Sequence, residues 1–195
     1  MLRRFFRSPT DQQKIRLRVA RWLKRWPWLA VVLQRVAGWL HGRFSIGAVG
    51  VLLDSQERVL LVEHVFHPKT PWGLPGGWVD RNELPQHAVE REFHEETSLT
   101  VKVIYPLSVW SSHLLRHHVD MAFAVELQPA QDANVLNLSD ELLDYQWASR
   151  DQLPALFTEH LAAIDLAIMR RRETQNTLNT VTRGGNVEED HVRKT

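Results

Sequence analysis

The sequence predicts an α+β domain in which a mixed β-sheet is covered by helices on both faces. Four apolar, β-branched segments have the length and composition of strands: residues 45–53, 58–65, 99–110 and 118–127. Two other segments have the 3.6-residue periodicity of helices, one from Pro85 to about Thr97 and one from Thr158 to about Arg172. Because each helix must bury its apolar side, we expect one helix on each face of the sheet.

Turn and capping residues mark where the first elements begin and end. Residues 54–57 separate the first two strands and predict a β-hairpin. A Pro/Gly-rich loop of defined shape follows at residues 72–77, and Pro85 suits the first turn of a helix. The segment 118–127 alternates, so four of its apolar side chains share one face: Val119, Met121, Phe123 and Val125.

The C-terminal third is predicted to contain one short strand and one long helix. A polar loop at residues 139–141 precedes a strand at 145–148. Ser149 and Gln152 have the spacing of a capping box, and Thr158 caps the final helix. Residues 174–195 are polar and contain two adjacent glycines, which predicts a disordered tail.

Composition restricts the chemistry that this chain can perform. Its 195 residues are 44% hydrophobic and 24% charged, which is typical of one globular domain with an appendage. The chain has no cysteine. Disulfides, thiolate catalysis and cysteine-based metal sites are therefore excluded.

Residues 1–43 are predicted to be a separate, basic, Trp-rich amphipathic helical arm. Residues 1–45 contain 11 basic and one acidic side chain, a net charge of +10, so the rest of the chain carries −9 to give the total of +1. Apolar residues recur at helical spacing on both sides of Pro27, which predicts two helices. Gln34 and Arg35 interrupt the apolar run, so it is too short to span a membrane. Four of the eight tryptophans lie in this arm: Trp22, Trp26, Trp28 and Trp39.

The sequence leaves four roles open for this N-terminal arm. In the first role, the arm packs on the main domain or on a partner subunit, and the partner can be a second copy of this chain in a homodimer. It would lie on an anionic membrane surface, to which basic and tryptophan side chains both bind. It would be a removable targeting peptide, or it would contact nucleic acid. We expect a cytoplasmic protein, peripheral at the membrane if the second role applies.

The helix predicted from Pro85 carries an unusual group of carboxylates. Glu92, Glu95 and Glu96 are three and four residues apart and therefore share one side of the helix. Like charges at this spacing repel, so helix stability does not account for them. Hard oxygen ligands of this kind suit Mg²⁺ or Mn²⁺. The helix by itself leaves open both a solvated acidic side and a metal site. The opposite side is predicted to be buried: Ala88, Val89 and Phe93.

The segment from Gly77 to Leu99 resembles the signature of the Nudix hydrolases. Gly77 is followed by five residues, Glu83, seven residues and then a nine-residue run that begins with Arg91-Glu92. The preceding residues 72–77, WGLPGG, resemble the usual approach to this signature. So many fixed positions over 23 residues make the resemblance specific.

The resemblance has two departures and a limited extent. Ser98 stands where the family has glycine at the helix end, and Phe93 replaces a smaller aliphatic residue. Neither change removes a predicted ligand. The resemblance covers the chain from Phe44 to about residue 173 and implies a Nudix-like α/β/α sandwich with a central mixed sheet.

The resemblance also implies roles for individual residues. Arg91 would pair with Glu83 and hold the loop against the helix. The general base would be Glu92 or Glu141, with Asp140 as the alternative to Glu141. Mg²⁺, or Mn²⁺ in its place, would be held by three carboxylates and one backbone carbonyl, those of Glu92, Glu95, Glu96 and Gly76.

The implied reaction is Mg²⁺-dependent hydrolysis of a nucleoside diphosphate linked to another group, with a metal-activated water as nucleophile. The partner is thus a small-molecule nucleotide, and ADP-ribose, a nucleotide sugar, a nucleoside triphosphate and capped RNA stay open. The alternative is a non-catalytic Nudix-fold module that senses nucleotides or binds protein. Trp78 and Trp110 would either stack on a base or pack in the core. Three histidines would either contact phosphate or be solvated: His113, His117 and His118.

Overall fold

A computed structural model describes residues 44–65, 69–112, 115–129, 131 and 136–192, together with positions 28, 31, 32 and 35. The chain divides into two compact units, Met1–Arg43 and Phe44–Thr195. In the first unit, the four described positions are helical. The remainder of the two predicted arm helices lies outside the described residues, as does His113.

The second unit contains seven strands and two α-helices among the described residues. In chain order they are β1 Ser45–Leu52, β2 Val59–His64, β3 Trp72–Gly73, β4 Gly76–Trp78, α1 Pro85–Thr97, β5 Val101–Ser111, β6 His118–Leu127, β7 Leu142–Ala148 and, after a 3₁₀ turn at Arg150–Gln152, α2 Thr158–Val192.

The strands form two sheets. The first has the order β4-β1-β6-β5, in which β1 and β6 are parallel and the other neighbours are antiparallel. The second has the order β3-β2-β7 and is antiparallel. The predicted mixed sheet is therefore confirmed, although the strands of the domain are divided between two sheets.

The two helices pack on opposite faces of the first sheet, as predicted. Because successive residues of a strand point to opposite faces, Ala48 and Val51 of β1 belong to different cores. One core joins the sheet to α1 through Ala88, Val89 and Phe93, all fully buried. The other joins it to α2 through four side chains: Ala163, Ile164, Ala167 and Ile168. The α+β prediction is confirmed.

The predicted hairpin between β1 and β2 is wrong in its strand pairing. The tight turn is present, since Asp54 Oδ1 accepts hydrogen bonds from the backbone N–H groups of Gln56 and Arg58 at 2.9 and 2.8 Å. Beyond the turn, only the isolated bridge between Leu53 and Val59 joins the two segments. Both edges of β1 are already paired, with β4 and with β6, so β2 pairs with β3 and β7 in the other sheet.

The predicted bounds of α1 are confirmed. The helix begins at Pro85 and ends at Thr97. Ser98 then adopts the left-handed conformation, with φ 62°, and its N–H donates to the carbonyl of His94 at 2.9 Å. This conformation favours glycine, which explains why the family has glycine at this position.

Helix α2 begins at Thr158, as predicted, but extends to Val192 rather than ending near Arg172. Polar composition and two adjacent glycines weaken a helix by about 1 kcal/mol per glycine, and they do not by themselves end it. The hydroxyls of three threonines donate to carbonyls four residues earlier, a pattern compatible with a continuous helix: Thr174, Thr177 and Thr180. Across the described residues, no helix combines the length and apolar character that a membrane span requires.

Candidate active site

A cavity of about 760 Å³ opens where α1, the β4 loop and the first residues of β1 and β6 meet. It is the place to which the fold brings most of the predicted site residues. Its lining includes five of them: Gly76, Glu92, Glu95, Glu96 and Glu141.

Arg91 connects the signature loop to the helix. Its guanidinium donates to both carboxylate oxygens of Glu83 at 3.0 Å, and to the backbone carbonyl of Trp78 at 2.9 Å. The same group donates to Glu92 at 2.8 Å and to Glu95 at 3.1 Å. The structure thus contains the predicted ion pair of Arg91 with Glu83, and it adds two contacts to the carboxylates of the cavity.

The ion pair between Arg91 and Glu83 shifts the pKa of both groups. Hydrogen bonds from the Arg91 side chain, joined by one from the backbone N–H of Asp80, lower the pKa of Glu83 to about 2. The same bonds raise the pKa of Arg91 above its ordinary value. Both groups are therefore charged throughout the physiological range.

Glu96 is a buried carboxyl group, with 6% of its surface exposed. Burial raises its pKa to about 8, although the backbone N–H of Gly76 donates to its Oε2 at 2.9 Å and acts in the opposite direction. The neighbouring charges of Glu92, Glu141 and Glu95 add to the increase. Burial also raises the pKa of Glu92, against the lowering effect of its bond with Arg91.

Two glycines allow the loop to approach the carboxylates. Gly76 has φ 145°, and a Cβ atom there would lie 2.2 Å from the backbone oxygen of Ala48. A Cβ atom on Gly77 would lie 2.5 Å from the carboxylate carbon of Glu92. A side chain at either position would displace the loop or the carboxylate.

The three signature glutamates share one side of α1 and all line the cavity. Among the described residues, no group of three histidine, aspartate or glutamate side chains is arranged to hold a metal ion. Glu92 and Glu95 accept hydrogen bonds from the same Arg91 nitrogen, and Glu96 accepts one from Gly76 N–H.

The donor groups nevertheless fit a hard divalent cation. All the candidate side-chain ligands are carboxylate oxygens, and they line one cavity beside Gly76 and Gly77, which have no side chains. Glu96 is nearly fully buried, and no cationic side chain among the described residues is bonded to it, so a cation would stabilise its ionised form.

The structure distinguishes Glu141 from Asp140. Glu141 lines the cavity and Asp140 does not. The loop is fixed by the backbone hydrogen bond from Ser139 N–H to the carbonyl of Glu96, and by that from Val65 N–H to the carbonyl of Glu141, both 3.0 Å. These bonds hold the Glu141 backbone beside the end of α1.

The other wall of the cavity is aromatic and was largely missed by sequence reasoning. His160 at the start of α2 has ring contacts with Trp110 at 6.1 Å and with Phe157 at 5.8 Å between centroids. Trp110 also packs against the second core, which is the second of the two roles predicted for it. Six aromatic or ionisable lining residues have no role in the sequence-based prediction: His64, Trp72, Asp120, Phe157, Glu159 and His160.

A signal for part of this wall was present in the sequence. His118 and Asp120 are two residues apart at the start of a strand, on the side opposite to the alternating apolar residues. Both line the cavity. His117, in contrast, is not among the lining residues and has its ring contact with Phe44 at 5.6 Å.

The family model described as the NUDIX domain matches residues 43–171. The chain belongs to the NUDIX family. The predicted family is therefore confirmed, and the match covers the domain that contains the cavity.

Several individual proteins are similar to this chain, among them two relatives in sequence and one solved structure. The chain is 29% identical over 117 residues to an ADP-ribose pyrophosphatase of Methanocaldococcus jannaschii, which covers 58% of this chain and 67% of the relative. It is 27% identical over 130 residues to the NAD-capped RNA hydrolase NudC of Photobacterium profundum, which covers 65% of this chain and 46% of the relative. The chain thus spans less than half the length of this second relative.

The fold is similar to that of a MutT NUDIX hydrolase from Burkholderia pseudomallei. The TM-score is 0.54 at 23% identity, over 64% of this chain and 98% of that one. This similarity shows the Nudix fold.

Proposed function

We propose that this Nudix protein is a metal-dependent pyrophosphohydrolase that cleaves a nucleoside diphosphate linked to another group. The observation that supports it is one cavity that contains all four glutamates of the predicted site, next to a glycine turn fixed by Arg91. The names of the two relatives, an ADP-ribose pyrophosphatase and an NAD-capped RNA hydrolase, both denote hydrolysis of such compounds. The catalytic domain is proposed to comprise residues 44–173, with residues 174–195 outside it.

The metal is proposed to be Mg²⁺, with Mn²⁺ as a substitute. Four groups would hold it, the carboxylates of Glu92, Glu95 and Glu96 and the backbone carbonyl of Gly76. When bound, a divalent cation neutralises pyrophosphate charge and lowers the pKa of a water. The ion pair of Glu83 with Arg91 connects the loop to α1, so that Gly76 and Gly77 stay next to the carboxylates.

Glu141 is proposed as the general base. Its carboxylate lines the cavity and, among the described contacts, has no ion pair, whereas Glu92 is bonded to Arg91. In the reaction, the oxygen of water forms a bond to one phosphorus and the P–O bond of the bridging oxygen breaks. The water proton goes to the carboxylate, and the products are a nucleotide and a phosphorylated remainder. Glu92 is the alternative base.

The test is hydrolysis of a panel of nucleoside diphosphate compounds with and without Mg²⁺. The panel contains ADP-ribose, a nucleotide sugar, a nucleoside triphosphate and capped RNA. Glu141→Gln should lower kcat by about 10²–10⁴ and leave KM nearly unchanged if Glu141 is the base. If Glu92→Gln shows this pattern and Glu141→Gln has wild-type kcat, the base is Glu92.

The same panel tests the non-catalytic alternative. A nucleotide-binding module would show no turnover of any compound, and Glu92→Gln would bind ligand as tightly as the wild type. That pair of results would reject the proposed hydrolysis.

A cytoplasmic location with membrane contact by the N-terminal arm is a separate proposal. It is supported by the net charge of residues 1–45 and by three exposed apolar side chains at described helical positions: Trp28, Val31 and Val32. Deletion of residues 1–43 should abolish binding to phosphatidylserine vesicles and leave hydrolysis intact. Loss of a dimer upon the same deletion would instead support the homodimer.

A further inference from the structure

A row of four residues crosses the first sheet at the cavity. Gly47 of β1 is the register partner of Trp78 on β4 and of Asp120 on β6. Asp120 is in turn the partner of Trp110 on β5. Directly paired residues share one face of a sheet, and all four line the cavity. The row places two indoles on either side of a glycine and a carboxylate.

The glycine in this row allows close packing, because side-chain atoms of Asp120 and His118 occupy the space that a Cβ atom would fill. A Cβ atom on Gly47 would lie 2.3 Å from Oδ1 of Asp120 and 3.0 Å from Nε2 of His118. Without that atom, Trp78 reaches across β1, and its ring centroid lies 4.6 Å from that of His118. Trp78 is nevertheless 54% exposed, so much of its surface is available to a ligand in the cavity.

Asp120 is held in place through one of its two oxygens. Nε2 of the buried His118 donates to Oδ1 at 2.8 Å, and Ser45 Oγ lies 2.8 Å from Nδ1 of the same ring. No contact to Oδ2 is present among the described residues, and the Asp120 side chain is 21% exposed. An ionised carboxylate only accepts hydrogen bonds, so the group it recognises must be a donor.

This row lies next to the catalytic carboxylates. Gly76 is two residues before Trp78 on β4, about 7 Å away along the strand. Gly77, between them, is the residue that Glu92 closely approaches. The glutamates and the row line the same cavity, so a ligand whose pyrophosphate is at the glutamates reaches the row through that cavity.

We propose that Trp78, Gly47 and Asp120 form the base subsite of this enzyme, and that it selects bases with an exocyclic amino group. This inference rests on the proposed function, because it assigns the nucleoside end of the same substrate. An indole offers a flat surface for stacking of any base, whereas the Asp120 carboxylate accepts the amino N–H. Stacking supplies affinity and Asp120 supplies selectivity.

The experiment measures binding without metal, so that it does not depend on turnover. Isothermal titration compares AMP with purine riboside 5′-monophosphate, and GMP with IMP, since each second compound lacks only the amino group. In at least one pair, the wild type should bind the amino compound about tenfold more tightly, the value of one hydrogen bond to a charged acceptor. Asp120→Asn should abolish that difference. Glu126→Gln, an exposed change on the same strand, should retain it.

A second variant separates stacking from selectivity. Trp78→Ala removes the indole but not the backbone carbonyl that accepts from Arg91. It should weaken both members of a pair about equally, by about 5- to 100-fold. If Trp78→Ala binds either nucleotide of a pair more tightly than the wild type does, the stacking role of Trp78 is contradicted.

The outcomes distinguish this inference from the proposed function. Equal affinity of the wild type for both members of both pairs would overturn the base subsite without the use of any variant. Discrimination that persists in Asp120→Asn would also overturn it. If Asp120→Asn loses the discrimination but the wild type hydrolyses none of the compounds, the base subsite is supported and the proposed hydrolysis is rejected.

Discussion

Gly77→Ala is expected to disable the site and leave the fold intact. The new Cβ atom would lie 2.5 Å from the carboxylate carbon and from Oε1 of Glu92, and 2.8 Å from Oε2. Carbon–carbon contacts need about 3.5 Å, so the carboxylate must move by about 1 Å. Because it is the end of a flexible side chain, this movement costs little stability. A displacement of about 1 Å in an active site lowers kcat by about 100-fold.

The assay for Gly77→Ala compares kcat with the thermal midpoint of unfolding. We expect about 1% of wild-type kcat and a Tm within a few degrees of wild type. Gly73→Ala is the matched control, because it lines the same cavity but its Cβ atom would come no closer than 3.1 Å to the His64 ring. Wild-type kcat in Gly77→Ala would refute the reasoning that the position of Glu92 controls the reaction.

Two further predictions concern stability. Because Arg91 lowers the pKa of Glu83 from 4.5 to about 2, the pair stabilises the fold above pH about 4.5, and this contribution is lost as the pH falls toward 2. With allowance for solvent screening, Glu83→Gln should lower the free energy of unfolding by about 1 kcal/mol at pH 7 and by distinctly less at pH 3, as measured by urea unfolding. An equal decrease at both pH values would contradict the assignment of the ion pair. Ser98→Gly should raise the free energy of unfolding by about 0.5–1 kcal/mol, because Ser98 has φ 62°. A decrease would show that the hydroxyl, 3.3 Å from the carbonyl of Asn137, outweighs the backbone preference.

Local signals were sufficient to predict α1 and the Arg91–Glu83 contact. Pro85 fixes where the helix begins, and the apolar stripe of Phe93 and its neighbours fixes which side is buried. The Arg91–Glu83 contact follows from a signature in which both residues have fixed spacing. Such features depend on a few adjacent residues, so the sequence contains nearly all the information.

The pairing of strands and the aromatic wall depend on distant residues. A tight turn at residues 54–57 is visible in the sequence, but the neighbours of β1 are set by β4 and β6, which occur much later in the chain. The row of Trp78, Gly47 and Asp120 arises only when three strands come into register. The alternation of apolar residues in β6 identifies the side that packs in the core. His118 and Asp120 lie on the opposite side, and they were the available signal for the cavity wall.

The central claim is that the glutamates around this cavity hold a divalent cation, and Mn²⁺ binding tests it most directly. Electron paramagnetic resonance would measure the dissociation constant for the wild type, for Glu92→Gln and Glu96→Gln, and for the control Glu126→Gln. We expect Glu92→Gln and Glu96→Gln each to weaken Mn²⁺ binding by at least about tenfold, and Glu126→Gln to leave it unchanged. The same dissociation constant in all four proteins would contradict this claim.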